Sequence, residues 1–141
     1  MTDLQGAVGL VQLAKMNRYI AERQEWAQFY ERELAKIPWL RTPLAPAGWI
    51  HGWQSYVCMV DEGRAPASRN KIMERLLEGG VHTRPGTHAV HMLGYYRDRL
   101  NTQPEDFPAS RHCDQQSMAI PLHNRMLPED FDHVVRSLTS V

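Results

Sequence analysis

The chain has 141 residues, of which 16 are Lys or Arg and 16 are Asp or Glu, so its formal net charge is zero. This balance argues against nucleic-acid binding through bulk electrostatics, and a hydrophobic content of 43% indicates one ordinary globular domain. No apolar run approaches the roughly 20 residues that span a bilayer, and Asp3 stands where a signal peptide carries positive charge. We therefore expect a cytoplasmic protein that contacts neither membrane nor nucleic acid, with Cys58 and Cys113 reduced.

The first element predicted is a long amphipathic helix over residues 2–36. This stretch contains no proline, and apolar residues such as Leu4, Val8 and Val11 recur at helical spacing until Pro38 ends the pattern. At 1.5 Å per residue such a helix is about 50 Å long, which exceeds what a domain of this size needs for its own core. We expect part of it to pack against something outside the domain.

After a proline-rich connector at 37–52, the pattern alternates between strands and helices. Strands are predicted at 53–60, 81–84 and 118–122, and helices at 66–78, 108–117 and 128–139. Residues 85–108 lack periodicity apart from one possible helical turn, and so long a loop in a small domain is typically functional. The order of elements predicts an α/β fold: a small two-layer domain with a long N-terminal helix, a short and mainly antiparallel sheet, and helices packed on it.

The densest set of chemically useful side chains lies at residues 82–99, which contain three His, three Arg and two Tyr. One interpretation is an anion site, in which Arg84 grips a carboxylate or phosphate while His88 or His91 and a tyrosine hydroxyl add contacts. A second interpretation is a zinc site at His88 and His91, completed by His82 or by His112 and Cys113. A third is purely structural, with surface arginines and histidines that bond loop carbonyls.

Four segments, in order, resemble one known family. Residues 1–12 (MTDLQGAVGLVQ), 51–54 (HGWQ), 80–96 (GVHTRPGTHAVHMLGYY) and 120–130 (IPLHNRMLPED) are similar to motifs in the C-terminal part of the DegT/StrS family of pyridoxal-phosphate-dependent sugar aminotransferases. Two positions depart from that pattern: Gln54 stands where the family commonly has His, and Gly94 where Pro is frequent. The resemblance covers essentially the whole chain.

The resemblance implies a fold-type I transferase in which a large domain holds pyridoxal phosphate on a lysine and a smaller C-terminal domain closes the site. Residues 1–141 would be that small domain, with 1–36 as the interdomain and dimer-interface helix and 53–141 as the α/β body. The three lysines, Lys15, Lys36 and Lys71, all lie in predicted helices, so we expect no cofactor-binding or catalytic residue in this chain. Its partner would be the large domain that carries the cofactor.

The activity implied for the complete enzyme is transfer of an amino group from glutamate to the keto carbon of a nucleotide-linked sugar. The matched loop implies substrate contacts from Arg84, His88, His91 and Tyr95, with positioning rather than proton transfer as their role. The chain alone is then expected to be inactive. The alternative is a non-catalytic binding or oligomerisation module that keeps the fold, and a homo-oligomer is expected in either case.

Overall fold

The computed structural model describes residues 1–141 and has six α-helices and four β-strands. The helices are α1 (Asp3–Leu13), α2 (Met16–Leu34), α3 (Arg69–Glu78), α4 (Gly94–Leu100), α5 (Pro108–Gln116) and α6 (Pro128–Thr139). The strands are β1 (Leu40–Arg41), β2 (Tyr56–Val60), β3 (Arg84–Pro85) and β4 (Ser117–Ile120). The predicted α/β class is confirmed. No helix combines the length and the apolar character that crossing a membrane requires.

The N-terminal helical region consists of two helices, so the prediction of one continuous helix over 2–36 is wrong in this respect. Thr2 and Gln5 form a reciprocal capping box that starts α1. The helix tightens at its end, where the Lys15 N–H bonds to the Gln12 carbonyl three residues back, and α2 then begins at Met16. None of the α1 side chains is buried, whereas α2 buries Ala27, Tyr30 and Leu34.

The sheet has the order β1-β2-β4-β3, and all neighbouring strands are antiparallel. Alternate residues of β2 are fully buried, and its central residue Cys58 pairs with Met118 of β4. The predicted strand at 81–84 is shifted in the structure, because only residues 84–85 pair with β4, while the Val81 N–H bonds to the Leu76 carbonyl at the end of α3. The two-residue strand β1, within the predicted connector, was not foreseen.

One hydrophobic core joins α2, α3 and α6 to β2 and β4. Its fully buried residues include Tyr30, Tyr56, Ile72, Met118 and Phe131. Trp26 adds a parallel ring stack on Phe131, with centroids 3.9 Å apart. The Tyr30 hydroxyl donates a hydrogen bond to the Pro121 carbonyl at 2.9 Å, which ties α2 to the chain that follows β4.

The segment at 85–108 is more regular than the loop that was predicted. It contains single 3-10 turns at Val90–Met92 and Pro104–Asp106, with α4 between them. Asn101 takes the left-handed conformation (φ 51°) that stops α4, a backbone region that asparagine tolerates better than most residues. The segment therefore holds its side chains in defined positions beside the edge strand β3.

Candidate functional site

Two cavities lie around β3 and the segment that follows it, and they share no lining residue. The first, which we call the edge cavity, has a volume of about 420 Å³ and is lined by Gly80, Val81, His82, Arg84, Pro121, His123, Met126, Asp130, His133 and Val134. The second, the loop cavity, has a volume of about 340 Å³ and is lined by His88, Val90, His91, Tyr96, Leu100, Thr102, Phe107 and Ser110.

The edge cavity lies where the chain leaves α3 and turns into β3. Gly80 has a φ of 82°, which is open to glycine and strained for other residues, and it redirects the chain after α3. The His133 imidazole on α6 lies 2.8 Å, through Nε2, from the carbonyl oxygen of Gly79 and so joins α6 to this turn. Arg84 follows on the exposed edge strand and lines the same cavity.

The loop cavity is positioned by a hydrogen-bond network that runs through α5. The Asp114 Oδ1 atom accepts the Ala89 N–H at 3.1 Å and lies 3.7 Å from His88 Nδ1. The Asp114 carbonyl accepts a hydrogen bond at 2.9 Å from the guanidinium of Arg69, a buried side chain that also donates to the Ser117 carbonyl. Because these carbonyls lie at the C-terminal end of α5, the buried cation faces the negative end of a helix.

His91 has a largely structural environment. Its side chain is buried, with Nε2 at 3.4 Å from the Pro104 carbonyl oxygen and its ring centroid 5.0 Å from that of Phe107. The Thr102 hydroxyl donates a hydrogen bond to the His91 carbonyl at 2.8 Å. These contacts hold the two ends of the segment around α4 together, and His91 forms part of the wall of the loop cavity.

Tyr95 lines neither cavity. It is 65% exposed, its hydroxyl accepts a hydrogen bond from Arg99 at 2.6 Å, and its ring meets Tyr96 edge to face. The neighbouring Tyr96 lines the loop cavity instead. The structure thus brings His88 and His91 together, places Arg84 in the other cavity, and leaves Tyr95 on the surface.

Sequence reasoning missed several residues that line these cavities or position them. Tyr96, His123 and Asp114 are the main ones, and His82 was considered only as a zinc ligand. His123 lies within the Ile-Pro-Leu-His segment, which was noticed as a motif but not as a site. Asp114 carried no local signal, since its partner Ala89 is 25 residues away along the chain.

The donors considered for zinc do not come together. No three His, Cys, Asp or Glu side chains are grouped at the spacing that a metal ion needs. His88 and His91 share the loop cavity, while His82 lines the edge cavity and neither His112 nor Cys113 lines either one. The zinc interpretation therefore lacks a ligand set.

The lysines do not fit covalent attachment of pyridoxal phosphate. A reactive lysine needs a pocket and an accessible neutral amine. Lys71 has a serine three residues before it, Ser68, but the Ser68 side chain caps α3 by accepting the Lys71 N–H. The Lys71 ammonium bonds to Glu74 at 2.9 Å, which raises the pKa of the lysine and favours its charged form. Lys36 pairs with Glu33, and Lys15 lies in the turn before α2.

The sequence profile of the DegT/DnrJ/EryC1/StrS aminotransferase family matches residues 1–139. The chain belongs to this family. Solved structures agree on the fold, and nearly the whole chain superimposes on aminotransferases of much greater length. Aminotransferase TlmJ from Streptoalloteichus hindustanus is 23% identical with a TM-score of 0.86, over 99% of this chain and 36% of that one.

Two further aminotransferases give the same result. PseC from Helicobacter pylori, an aminotransferase involved in pseudoaminic acid biosynthesis, is 20% identical with a TM-score of 0.88, over 99% of this chain and 37% of its own. Sugar aminotransferase CalS13 from Micromonospora echinospora is 22% identical with a TM-score of 0.81, over 99% and 35%. This member of the DegT/DnrJ/EryC1/StrS family thus spans about a third of the length of the structures it matches.

Proposed function

We propose that this chain is the small C-terminal domain of a pyridoxal-phosphate-dependent aminotransferase acting on a nucleotide-linked keto sugar. One observation carries the proposal: the family match extends from residue 1 to residue 139, yet the chain covers only 36% of an aminotransferase such as TlmJ. The lysines of this chain are a poor fit to the cofactor, which supports the presence of the reactive lysine on a separate large domain. In the complete enzyme, glutamate would supply the amino group.

The role proposed for this domain is to hold the substrate rather than to react with it. Arg84, His88, His91 and Tyr95 are its proposed substrate-binding residues. Arg84 and Tyr95 are exposed and His88 is 69% exposed at its side chain, so these three are accessible from outside the domain, while His91 shapes the cavity wall. A ligand that reached from the edge cavity to the loop cavity would contact both Arg84 and His88.

Helix α1 offers an exposed surface on which the proposed partner domain could pack. Helix α1 exposes Leu4, Val8, Leu10, Val11 and Leu13, and none of its residues is buried. An apolar helix left uncovered in water indicates an interaction surface. We assign it to contacts with the large domain and with a second subunit, in a homo-oligomer.

The decisive experiment asks whether the chain reacts by itself. Pyridoxal phosphate is added to the purified chain, which is then reduced with borohydride, digested and analysed by mass spectrometry, while transamination from glutamate is assayed in parallel. We expect no stoichiometric adduct at a single lysine and no turnover. Lys71→Arg is the matched control, because it keeps the charge and the Glu74 contact.

One result would overturn the proposal. A single stoichiometric adduct at Lys71, absent from Lys71→Arg and accompanied by turnover, would mean that the chain carries its own cofactor site. Low-level labelling spread over Lys15, Lys36 and Lys71 without turnover is the ordinary reaction of surface amines and agrees with the proposal.

The exposed face of α1 also favours a second candidate, a non-catalytic binding or oligomerisation module that retains the fold. The two functions differ in what covers α1. A module of this kind would form a stable homo-oligomer whose mass does not change when a lysine-bearing large domain of the family is added. A small domain of an enzyme would instead form a mixed complex with that domain.

A further inference from the structure

We propose that the edge cavity is an oxyanion site, built to bind a phosphate group through Arg84, His82 and His123. The inference deepens the proposed function, and it rests on that function in so far as a nucleotide-linked sugar would supply the phosphate. The site differs from the cluster that the sequence suggested, because Arg84 and the nearby His82 are grouped with His123 and His133 from two distant parts of the chain rather than with His88 and His91.

The guanidinium of Arg84 is unused within the domain. The side chain is exposed, and Arg84 takes part in none of the chain's ion pairs. The arginine side chains that donate hydrogen bonds are those of Arg23, Arg69, Arg97, Arg99 and Arg111. Arginine has five N–H donors and no acceptor, and its planar group matches two oxygens of a phosphate. Arg84 thus brings a permanent charge and free donors to the cavity.

The hydrogen bonds of His123 determine which of its nitrogens is available. Its Nδ1 atom accepts the Arg125 N–H at 3.2 Å, so in the neutral ring the proton is on Nε2. The Nε2–H group makes no hydrogen bond within the chain and is a donor for a ligand. His82 lines the same cavity, is exposed, and contacts no carboxylate as an ion pair.

His133 has a different function in the cavity. Its Nε2 atom lies 2.8 Å from the Gly79 carbonyl oxygen and donates to it, because a carbonyl can only accept. The neutral ring then presents Nδ1 as an acceptor, which does not suit an anion. We therefore exclude His133 from the ligand contacts and assign it to the wall, where it fixes the turn before His82.

One carboxylate, that of Asp130, lines the cavity, and the start of α6 compensates most of its charge. Asp130 Oδ2 accepts the Leu127 N–H at 2.8 Å, as part of the cap that starts α6. The positive end of the α6 helix dipole lies at the same place and offsets the carboxylate. The Arg84 guanidinium, the His82 imidazole and the Nε2–H group of His123 make no hydrogen bond within the chain, and this donor-rich set suits a phosphate better than a cation.

The test is an NMR titration of the intact 141-residue chain, following the histidine ring C–H signals. Inorganic phosphate and uridine diphosphate are the probes, with Arg84→Ala and His123→Ala as variants. His112→Ala is the control, since His112 is exposed on α5 and lines neither cavity. We expect saturable shifts of the His82 and His123 signals, and binding roughly tenfold to a hundredfold weaker in Arg84→Ala, from loss of a charged hydrogen bond. His123→Ala should also bind more weakly, whereas His112→Ala should match the wild type.

The two probes separate the sources of the phosphate. Tighter binding of uridine diphosphate than of inorganic phosphate supports a nucleotide ligand, and equal binding supports a site for the phosphate group alone. The proposal is overturned if shifts rise without saturation and extend to His112, or if Arg84→Ala binds as well as the wild type. Arg84→Ala removes no side-chain hydrogen bond or ion pair within the domain, so weaker binding by this variant reports on the ligand rather than on folding. The proposed function is decided separately, by turnover and adduct formation in the isolated chain.

Discussion

Asp114 accepts the backbone N–H of Ala89 at 3.1 Å and so fastens the segment after β3 to helix α5. Ala89 is buried, and the adjacent residue His88 has its Nδ1 atom 3.7 Å from the same carboxylate oxygen. One side chain therefore sets both the backbone position and the ring surroundings of a proposed substrate contact. A residue that acts in this way is a positioning residue.

Asp114→Ala should release this segment. Loss of a hydrogen bond to a charged acceptor is expected to cost about 1.5–3 kcal/mol of unfolding free energy. The Ala89 amide proton should exchange with solvent faster than in the wild type, measured by hydrogen-exchange NMR. Asp132→Ala, at an exposed position on α6, is the control and should change neither quantity. Unaltered protection of Ala89 in Asp114→Ala would show that the bond does not hold the segment.

Arg69 anchors the other side of the same network. Its guanidinium donates to the Ser117 carbonyl at 2.6 Å in a buried environment and to the Asp114 carbonyl at 2.9 Å in a partly buried one. Arg69→Met keeps the aliphatic stem and leaves two carbonyls without partners, at an expected cost of about 3 kcal/mol in unfolding free energy. Arg75→Met, exposed on the same helix, should stay within about 0.5 kcal/mol. Denaturant unfolding that gave equal losses for both variants would contradict this account.

Gly86 lets the segment after β3 approach the sheet closely. A Cβ atom at this position would lie 2.6 Å from Ser117 Oγ, and still closer to a methyl carbon of Val57. Gly86→Ala should therefore lower the unfolding free energy by about 1–3 kcal/mol through overpacking. Gly94→Ala is the matched control because its Cβ would meet nothing within 4 Å. A Gly86→Ala variant as stable as Gly94→Ala would mean that the strand pairing is looser than described.

Stability should fall in alkaline solution because buried groups keep their protons in the folded state. Burial raises the pKa of Cys58 to about 12 from its ordinary value of 9.0, and burial also raises the pKa values of Tyr30 and Tyr56. Between pH 9 and pH 12 the unfolded thiol loses its proton while the folded thiol keeps it, so unfolding is favoured as the pH rises. Below about pH 9 the thiol is protonated in both states, and the stabilisation of the folded state is fully present.

Urea unfolding at several pH values between 7 and 10.5 measures this effect. The unfolding free energy should be lower at pH 10.5 than at pH 8, and the decline should be shallower in Cys58→Ala because one of the three groups is absent. Cys113→Ala, at a partly exposed position, serves as the control and should follow the wild-type slope. A wild-type curve that stayed flat or rose above pH 9 would be inconsistent with protonated, buried groups.

Helix α1 should drive self-association of the isolated chain. Val8 and Val11 lie three residues apart on one exposed face, together with Leu4. Sedimentation velocity of the wild type should show mass rising with concentration, and a Val8→Glu, Val11→Glu double variant should remain smaller. Gln12→Glu adds one charge on the same helix without removing apolar area and should behave as the wild type. A wild-type chain that stays monomeric at high concentration would show that α1 does not drive self-association.

Individual helices and strands could be predicted from the sequence where a local pattern is compatible with only one type of secondary structure. Pro128 with the acidic residues after it predicted the start of α6, and the strand around Cys58 followed from its continuous apolar run. The break after Leu13 could not be predicted, since neither proline nor glycine marks it and the backbone stays near helical. The strand β1 depends on pairing with β2 and has little local signal.

The site was less predictable than the fold, because it depends on contacts between distant segments. Arg84 and His123 are 39 positions apart along the chain and meet only because β3 and β4 are neighbours in the sheet. Sequence proximity instead grouped Arg84 with His88 and His91, which the turn at Gly86 carries to the other cavity. The choice between Tyr95 and Tyr96 likewise depends on where α4 begins and which way it faces.

The break between α1 and α2 also has a thermodynamic consequence. Every buried side chain lies at residue 27 or later, so the eleven residues of α1 gain nothing from the core. Isolated helices shorter than about 12–15 residues are marginal in water. The free energy that keeps α1 helical must then come from the surface that docks on it. The helical far-ultraviolet circular dichroism signal of α1 therefore reports on assembly rather than on folding of the domain.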